Sequence, residues 1–167
     1  METGTRNYRP VKKFMDIAIK EAEEIAKLGG YPIGAVIVKG NDIVAMGRSK
    51  ARVNNDPTCH AEIDAIRNAT SKMKSIFLED CVLYTTHEPC AMCAAAAVWA
   101  KMKAIVYGAS MEDMIEFAKS VKDKNLSMSW RQILIKCKEV LDKSEFKVEL
   151  IEGFERDRCI KLFTLSR

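Results

Sequence analysis

The stretch CVLYTTHEPCAMCAAAAVWAKMKAIVY, residues 81–107, reads as a strand, a helix and a second strand in close succession. Cys81-Val82-Leu83-Tyr84-Thr85 is a short branched and aromatic run of the kind buried inside a sheet. Pro89 suits the first position of a helix, which continues through an alanine-rich tract to Ala100. Ala104-Ile105-Val106-Tyr107 then makes another strand. Two strands joined by one helix form a crossover unit, and such units place their strands in parallel.

Upstream, the apolar residues Val11, Phe14, Ile17, Ala18, Ile25 and Leu28 keep helical spacing, with Lys12, Lys13, Lys20, Glu23 and Glu24 elsewhere, so an amphipathic helix is predicted over 11–28. Gly29 and Gly30 stop it. Ile33 to Val38 and Ile43 to Met46, separated by Lys39-Gly40-Asn41-Asp42, read as a β-hairpin. A second helix is predicted from Asp56, whose carboxylate can cap free amides, with Pro57 at the first helical position; it runs to about Thr70 and buries Ile63 and Ile66. After Gly108 the pattern gives helices over Met111 to Val121 and Trp130 to Leu141, a strand near Phe146 to Leu150, and a last helix over Arg158 to Phe163. This order predicts a layered α/β domain with a partly parallel sheet.

A chain of 167 residues is long enough for one substantial core, and a single domain over 1–167 is predicted, with its core at about 11–108 and a helical C-terminal part at 109–167. Hydrophobic residues make up 48% and charged residues 30%, which excludes a disordered chain. The longest nearly uncharged run, Pro89 to Ala100, falls well short of the roughly 20 residues of a membrane span. Met1 to Lys13 carries scattered charges and no apolar signal run, so a cytoplasmic location is expected, where disulfides are rare. The net charge of +4 comes from basic residues interspersed with acids, as in Lys119, Lys122, Asp123 and Lys124, which reads as a solvated face before a nucleic-acid surface.

The chemistry concentrates in Cys59-His60-Ala61-Glu62 and, thirty residues on, Pro89-Cys90-Ala91-Met92-Cys93. Cysteines three apart on a helix turn both sulfurs to one side, and His60 adds a nitrogen. Three protein ligands leave a fourth coordination position open, which separates a catalytic zinc from a closed structural one. With helices starting at Pro57 and Pro89, their positive ends face the metal and favour thiolates at Cys90 and Cys93. Glu62, two residues from His60, is placed to act as the proton shuttle. Cys59 lies about a quarter turn from the His60 side, and it and Cys81, Cys137 and Cys159 are read as core, as are Met111 and Met114. His87 precedes Glu88 and Pro89 at the mouth of the metal helix, either as a structural residue or in contact with substrate.

His-x-Glu followed by Pro-Cys-x-x-Cys is the signature of the zinc deaminases. With Pro32-Ile33-Gly34-Ala35-Val36 and Asn55-Asp56-Pro57-Thr58, it makes the chain resemble the cytidine deaminase-like superfamily over roughly Val11 to Gly108, in the branch of guanine deaminases and tRNA adenosine deaminases. The resemblance implies a three-layer α/β/α fold with a central mixed sheet of about five strands, one zinc per subunit on His60, Cys90 and Cys93, and a homodimer. It also implies a base-binding slot lined by the backbone around Gly34 and Ala35. Eleven residues before the metal histidine, purine-directed members carry an asparagine that bonds the ring. This chain has Ser49 there, shorter and without the paired donor and acceptor of an amide. After Tyr107-Gly108, where the tRNA-editing members show a glycine- and lysine-containing loop, it reads Ala109-Ser110-Met111-Glu112-Asp113-Met114, which favours a small-molecule substrate.

The expected reaction is zinc-dependent hydrolytic deamination of a nucleobase or nucleoside, guanine deaminase-like, with the Cys90 amide as a candidate for polarising the attacked centre. The alternatives are a tRNA adenosine deaminase, a cytosine or deoxycytidylate-type deaminase, and a zinc module without catalysis.

Overall fold

The computed structural model describes residues 7–121 and 133–166. Its elements in chain order are α1 (Lys12–Lys27), β1 (Gly34–Lys39), β2 (Asp42–Arg48), α2 (Ala51–Asn54), α3 (Ala61–Met73), β3 (Cys81–His87) and α4 (Ala91–Trp99). These are followed by β4 (Ala104–Ala109), α5 (Met111–Ser120), α6 (Cys137–Asp142), β5 (Glu149–Ile151) and α7 (Arg156–Lys161), and a 3-10 turn over Leu162–Leu165 closes the series.

The sheet has five strands in the order β2-β1-β3-β4-β5. β1 is antiparallel to both β2 and β3, whereas β3, β4 and β5 run parallel, as the strand–helix–strand reading of residues 81–107 requires. Alternation along β1 sends Val36 and Val38 to one face and Ala35 and Ile37 to the other. On the first face lie Phe14, Met15, Ala18 and Ala22 of α1, Met114 of α5, Cys159 of α7 and Phe163. On the second lie Ala61, Ala65 and Ala69 of α3, Ala94 and Ala97 of α4, and Leu141 of α6. Helices therefore cover both faces of a mixed sheet, the expected three-layer α/β/α arrangement. No helix among the described residues is long and apolar enough to cross a membrane.

Two helices cross the sheet over a glycine. A Cβ built on Gly34 would stand 2.1 Å from the Ala18 carbonyl oxygen of α1, and one on Gly47 would stand 2.1 Å from that of Ala61 in α3. The missing side chains let the helix backbones rest directly on the strands, which sets how deeply the N-terminal end of α3 reaches into the fold. The Tyr84 hydroxyl, fully buried, pins the entry to α1: it accepts from the Val11 amide at 2.9 Å and lies 2.6 Å from the Tyr8 hydroxyl.

Several element boundaries differ from the sequence reading. The helix expected from Asp56 starts at Ala61, because Asp56 accepts from the Thr58 amide and hydroxyl at 2.8 and 2.7 Å and so holds a local turn. Its buried residues are Ala61, Glu62, Asp64, Ala65 and Ala69, while Ile63 and Ile66 are only half-buried. The short helix α2 was not anticipated; it ends at Asn55 in the left-handed conformation, φ 52°. The helix expected to open at Pro89 starts at Ala91. Of the helix expected over 130–141, residues 130–132 lie outside the described residues and Ile133 to Lys136 are not helical. α6 begins only at Cys137, where Glu139 takes the Lys136 amide. The last strand is shifted to Glu149–Ile151 by its pairing with β4, and Phe146 packs on the core instead. The last helix starts at Arg156 and tightens to 3-10 geometry at Leu162.

Gly34→Ala is expected to lower stability by about 1–3 kcal/mol through overpacking against α1, read as a shift of the urea unfolding midpoint at unchanged slope.

Candidate active site

α3 and α4 each start at the same edge of the fold, and their N-caps are His60 and Cys90, both in extended backbone conformation. This corrects the expectation that the helices begin just before their ligands: His60 and Cys90 sit at the caps themselves, and Cys93 in the first turn of α4. The positive ends of both helices still point at the cluster.

The three donor atoms form a tight triangle. His60 Nδ1 is 3.6 Å from Cys90 Sγ and 3.5 Å from Cys93 Sγ, and the two sulfurs are 3.7 Å apart. A tetrahedral ion with metal–sulfur bonds near 2.3 Å and metal–nitrogen bonds near 2.05 Å has sulfur–sulfur edges of about 3.8 Å and sulfur–nitrogen edges of about 3.6 Å. The triangle fits three corners of that solid, and these residues can hold a metal ion.

Without a cation two sulfurs this close do not both ionise. The hydrogen bond between the two sulfurs, with His60, pulls the Cys90 thiol down to about 3; Cys93, paired with Cys90 and buried, is held well above the ordinary thiol value. Glu62, 3% exposed in the first turn of α3, is pushed up by burial, partly offset by the nearby His60. The Thr85 hydroxyl lies 3.3 Å from Glu62 Oε1 and 3.2 Å from the His87 carbonyl oxygen, so its one proton serves two acceptors.

Beside the cluster opens a narrow slot of about 50 Å³. It is lined by Tyr31 and Ile33 ahead of β1, Ser49 after β2, His60 and Glu62 of the α3 start, and His87, Glu88 and Cys90 at the β3–α4 junction. Of the residues singled out from sequence, Glu62, His60, Cys90, Ser49 and His87 line it and Cys93 stands directly behind. His87 Nδ1 lies 3.1 Å from the Ala109 carbonyl and its ring stacks edge-on against Phe163, so it is a built part of the wall. Gly34 and Ala35 do not line it: Gly34 lies under α1 and Ala35 is buried in the opposite core, and the lining at this point comes from Ile33 and Tyr31. Tyr31 and Glu88 were not assigned to the site from sequence: a tyrosine in a loop carries no periodic signal, and Glu88 stands in the Glu88-Pro89-Cys90-Ala91-Met92-Cys93 block of the family resemblance without a role of its own there. Cys59 is buried near Asn54 rather than a quarter helical turn from His60, and Cys81, Cys137 and Cys159 are buried, as are Met111 and Met114.

A mixed sheet carrying a histidine and a Cys-x-x-Cys pair on two converging helix starts defines a domain of the cytidine deaminase-like class. The chain belongs to the MafB19-like deaminase family, whose model matches residues 11–144. It is 48% identical over 104 residues to the guanine deaminase of Bacillus subtilis, covering 62% of this chain and 67% of that protein. It is 36% identical over 149 residues to the tRNA-specific adenosine deaminase of Buchnera aphidicola, covering 89% of this chain and 91% of that protein. A solved structure from a study of A-to-I editing by tRNA deaminases at the wobble position superposes with a TM-score of 0.74 at 26% identity, over 91% of this chain and 99% of that chain.

Because Cys93 keeps its proton until a cation displaces it, affinity for a divalent ion is lost as pH falls. Between pH 7 and 8.5 the affinity is expected to rise about tenfold per pH unit, with about one proton released per ion bound. Calorimetric titration in two buffers of different ionisation heat reads this directly, and zero release would contradict it.

Proposed function

We propose that the protein is a zinc-dependent hydrolytic deaminase of a small purine-type ring, guanine deaminase-like, with one zinc ion on His60, Cys90 and Cys93. The observation that supports it best is the tetrahedral spacing of these donors beside a buried carboxylate, Glu62, that lines a small slot. One nitrogen and two sulfurs suit zinc, and three donors leave a position for water. When bound, zinc supplies the Lewis acidity that makes water a nucleophile near neutral pH.

Glu62 then carries the protons. It accepts one from the attacking water and passes it to the ring nitrogen next to the amino-bearing carbon, then takes the proton left on the newly bonded oxygen and gives it to the departing amine, so that a C–N bond is exchanged for C–O and ammonia leaves. A carboxyl raised by burial suits a group that must hold the proton between the two transfers. The slot wall includes Tyr31, Ile33 and His87, and its small volume favours a flat ring. The Ser49 hydroxyl, buried in that wall, offers one donor and two lone pairs to the ring edge.

One observation favours a second reading, tRNA adenosine deamination: the likeness to the Buchnera enzyme spans nearly the whole chain, further than the likeness to the guanine deaminase. An ammonia-release screen over free bases, nucleosides, nucleotides and transfer RNA separates them. Release from a free purine base, insensitive to salt, is the expected result; release only from transfer RNA, falling steeply with salt, would establish the alternative.

We read the working assembly as a homodimer. α4 has no charged residue from Ala91 to Trp99, yet Trp99 is 82% exposed beside an apolar groove of Phe77, Val98, Val140 and Phe146. Sedimentation of the zinc-loaded chain tests this.

Glu62→Gln is expected to retain one zinc per chain and to slow ammonia release by about 100- to 10,000-fold. Undiminished release from that variant would discard the role of Glu62.

A further inference from the structure

Glu88 is 3% exposed and lines the slot, between the wall residue His87 and the cap residue Cys90, yet the proposed chemistry gives it nothing to do. Its two carboxylate oxygens are engaged separately. Oε2 accepts the amide of Met111 at 2.8 Å, and Oε1 accepts the amide of Cys137 at 2.9 Å. Met111 is the first residue of α5 and Cys137 the first residue of α6, so one side chain satisfies orphan amides at the starts of two helices that lie 23 and 49 residues further along the chain.

Local caps hold other amides of these helix starts, and Glu88 takes the two at Met111 and Cys137. In α5, Ser110 accepts from the Asp113 amide and Asp113 accepts from the Ser110 amide. In α6, Glu139 accepts from the Lys136 amide. The backbone around Glu88 is tied as well: its amide donates to the Ala109 carbonyl at 2.8 Å, and His87 Nδ1 lies 3.1 Å from that same oxygen. A second link, the Glu112–Lys136 ion pair, joins the two helix starts from outside, but both partners are half exposed and solvent screens it.

We propose that Glu88 is a positioning residue that clamps the starts of α5 and α6 against the slot and thereby sets the shape of the substrate site. Each amide is held by its own carboxylate oxygen, so both oxygens are needed in this geometry. A glutamine has one oxygen, and its amide nitrogen would face a backbone N–H, donor against donor. A buried N–H left without a partner pushes its segment outward to find water. Opening the wall in this way weakens substrate binding and leaves the metal and Glu62 in place, so the effect falls on KM.

The test uses the full zinc-loaded chain with Glu88→Gln, and Glu112→Gln as the control that breaks only the outer ion pair. Amide hydrogen exchange at Met111 and Cys137 is expected to quicken at least tenfold in the first variant and to stay as in the parent in the second. Zinc content should remain one per chain, KM should rise at least tenfold, and kcat should stay within about threefold. Unchanged exchange at the two amides overturns the proposal, as does a fall in kcat at constant KM or a loss of zinc. The kinetic half rests on the deaminase reading: if the parent chain releases no ammonia from any substrate, that reading fails, while the exchange measurement still decides whether Glu88 clamps the two helices.

Discussion

Holding one imidazole nitrogen and two sulfurs within 3.7 Å of each other is the constraint that the remainder of the fold serves. Sulfur anions at that separation repel, and the protein offsets the repulsion by converging the positive ends of α3 and α4 on them. That convergence depends on where the helices rest. α3 lies directly on Gly47 of β2, and α4 connects two neighbouring parallel strands, so the sheet register fixes both helix starts relative to one another. Small side chains at Ala61, Ala65, Ala94 and Ala97 keep both helices close to the sheet.

The same edge of the molecule also holds two buried carboxylates in different surroundings. Glu62 lies in the first turn of α3, where burial raises its affinity for a proton. Glu88 lies between two other helix starts, where backbone amides occupy both of its oxygens.

Much of the fold was legible because its elements carry strong local signals. The period of α1, the hairpin at Gly40 and the branched runs of β3 and β4 appear in the structure within a residue or two of where the sequence places them. The donor triangle was legible for a different reason: His60, Cys90 and Cys93 are uncommon residue types at a spacing that suits metal coordination. Helix starts were the weakest part of the reading. Asp56 and Pro57 carry every mark of a helix start, but the Asp56 carboxylate closes a turn on Thr58 instead, and the choice between these two local bonds depends on how residues 56–60 must travel to reach the cluster.

The sequence by itself determined the strand–helix–strand unit and marked His60, Cys90 and Cys93, which the fold brings together as a group able to hold a metal ion, since each signal is encoded within a few neighbouring residues by polarity, period or spacing. Only the tertiary structure decided that Gly34 serves packing under α1 rather than the slot, that Tyr31 and Ile33 take its place in the lining, and that Glu88 joins two helices remote from it in sequence. The physical reason is distance along the chain: the slot is formed where Tyr31, Ile33, Ser49, His60, Glu62, His87, Glu88 and Cys90 meet, and no local pattern records which of them will face one another.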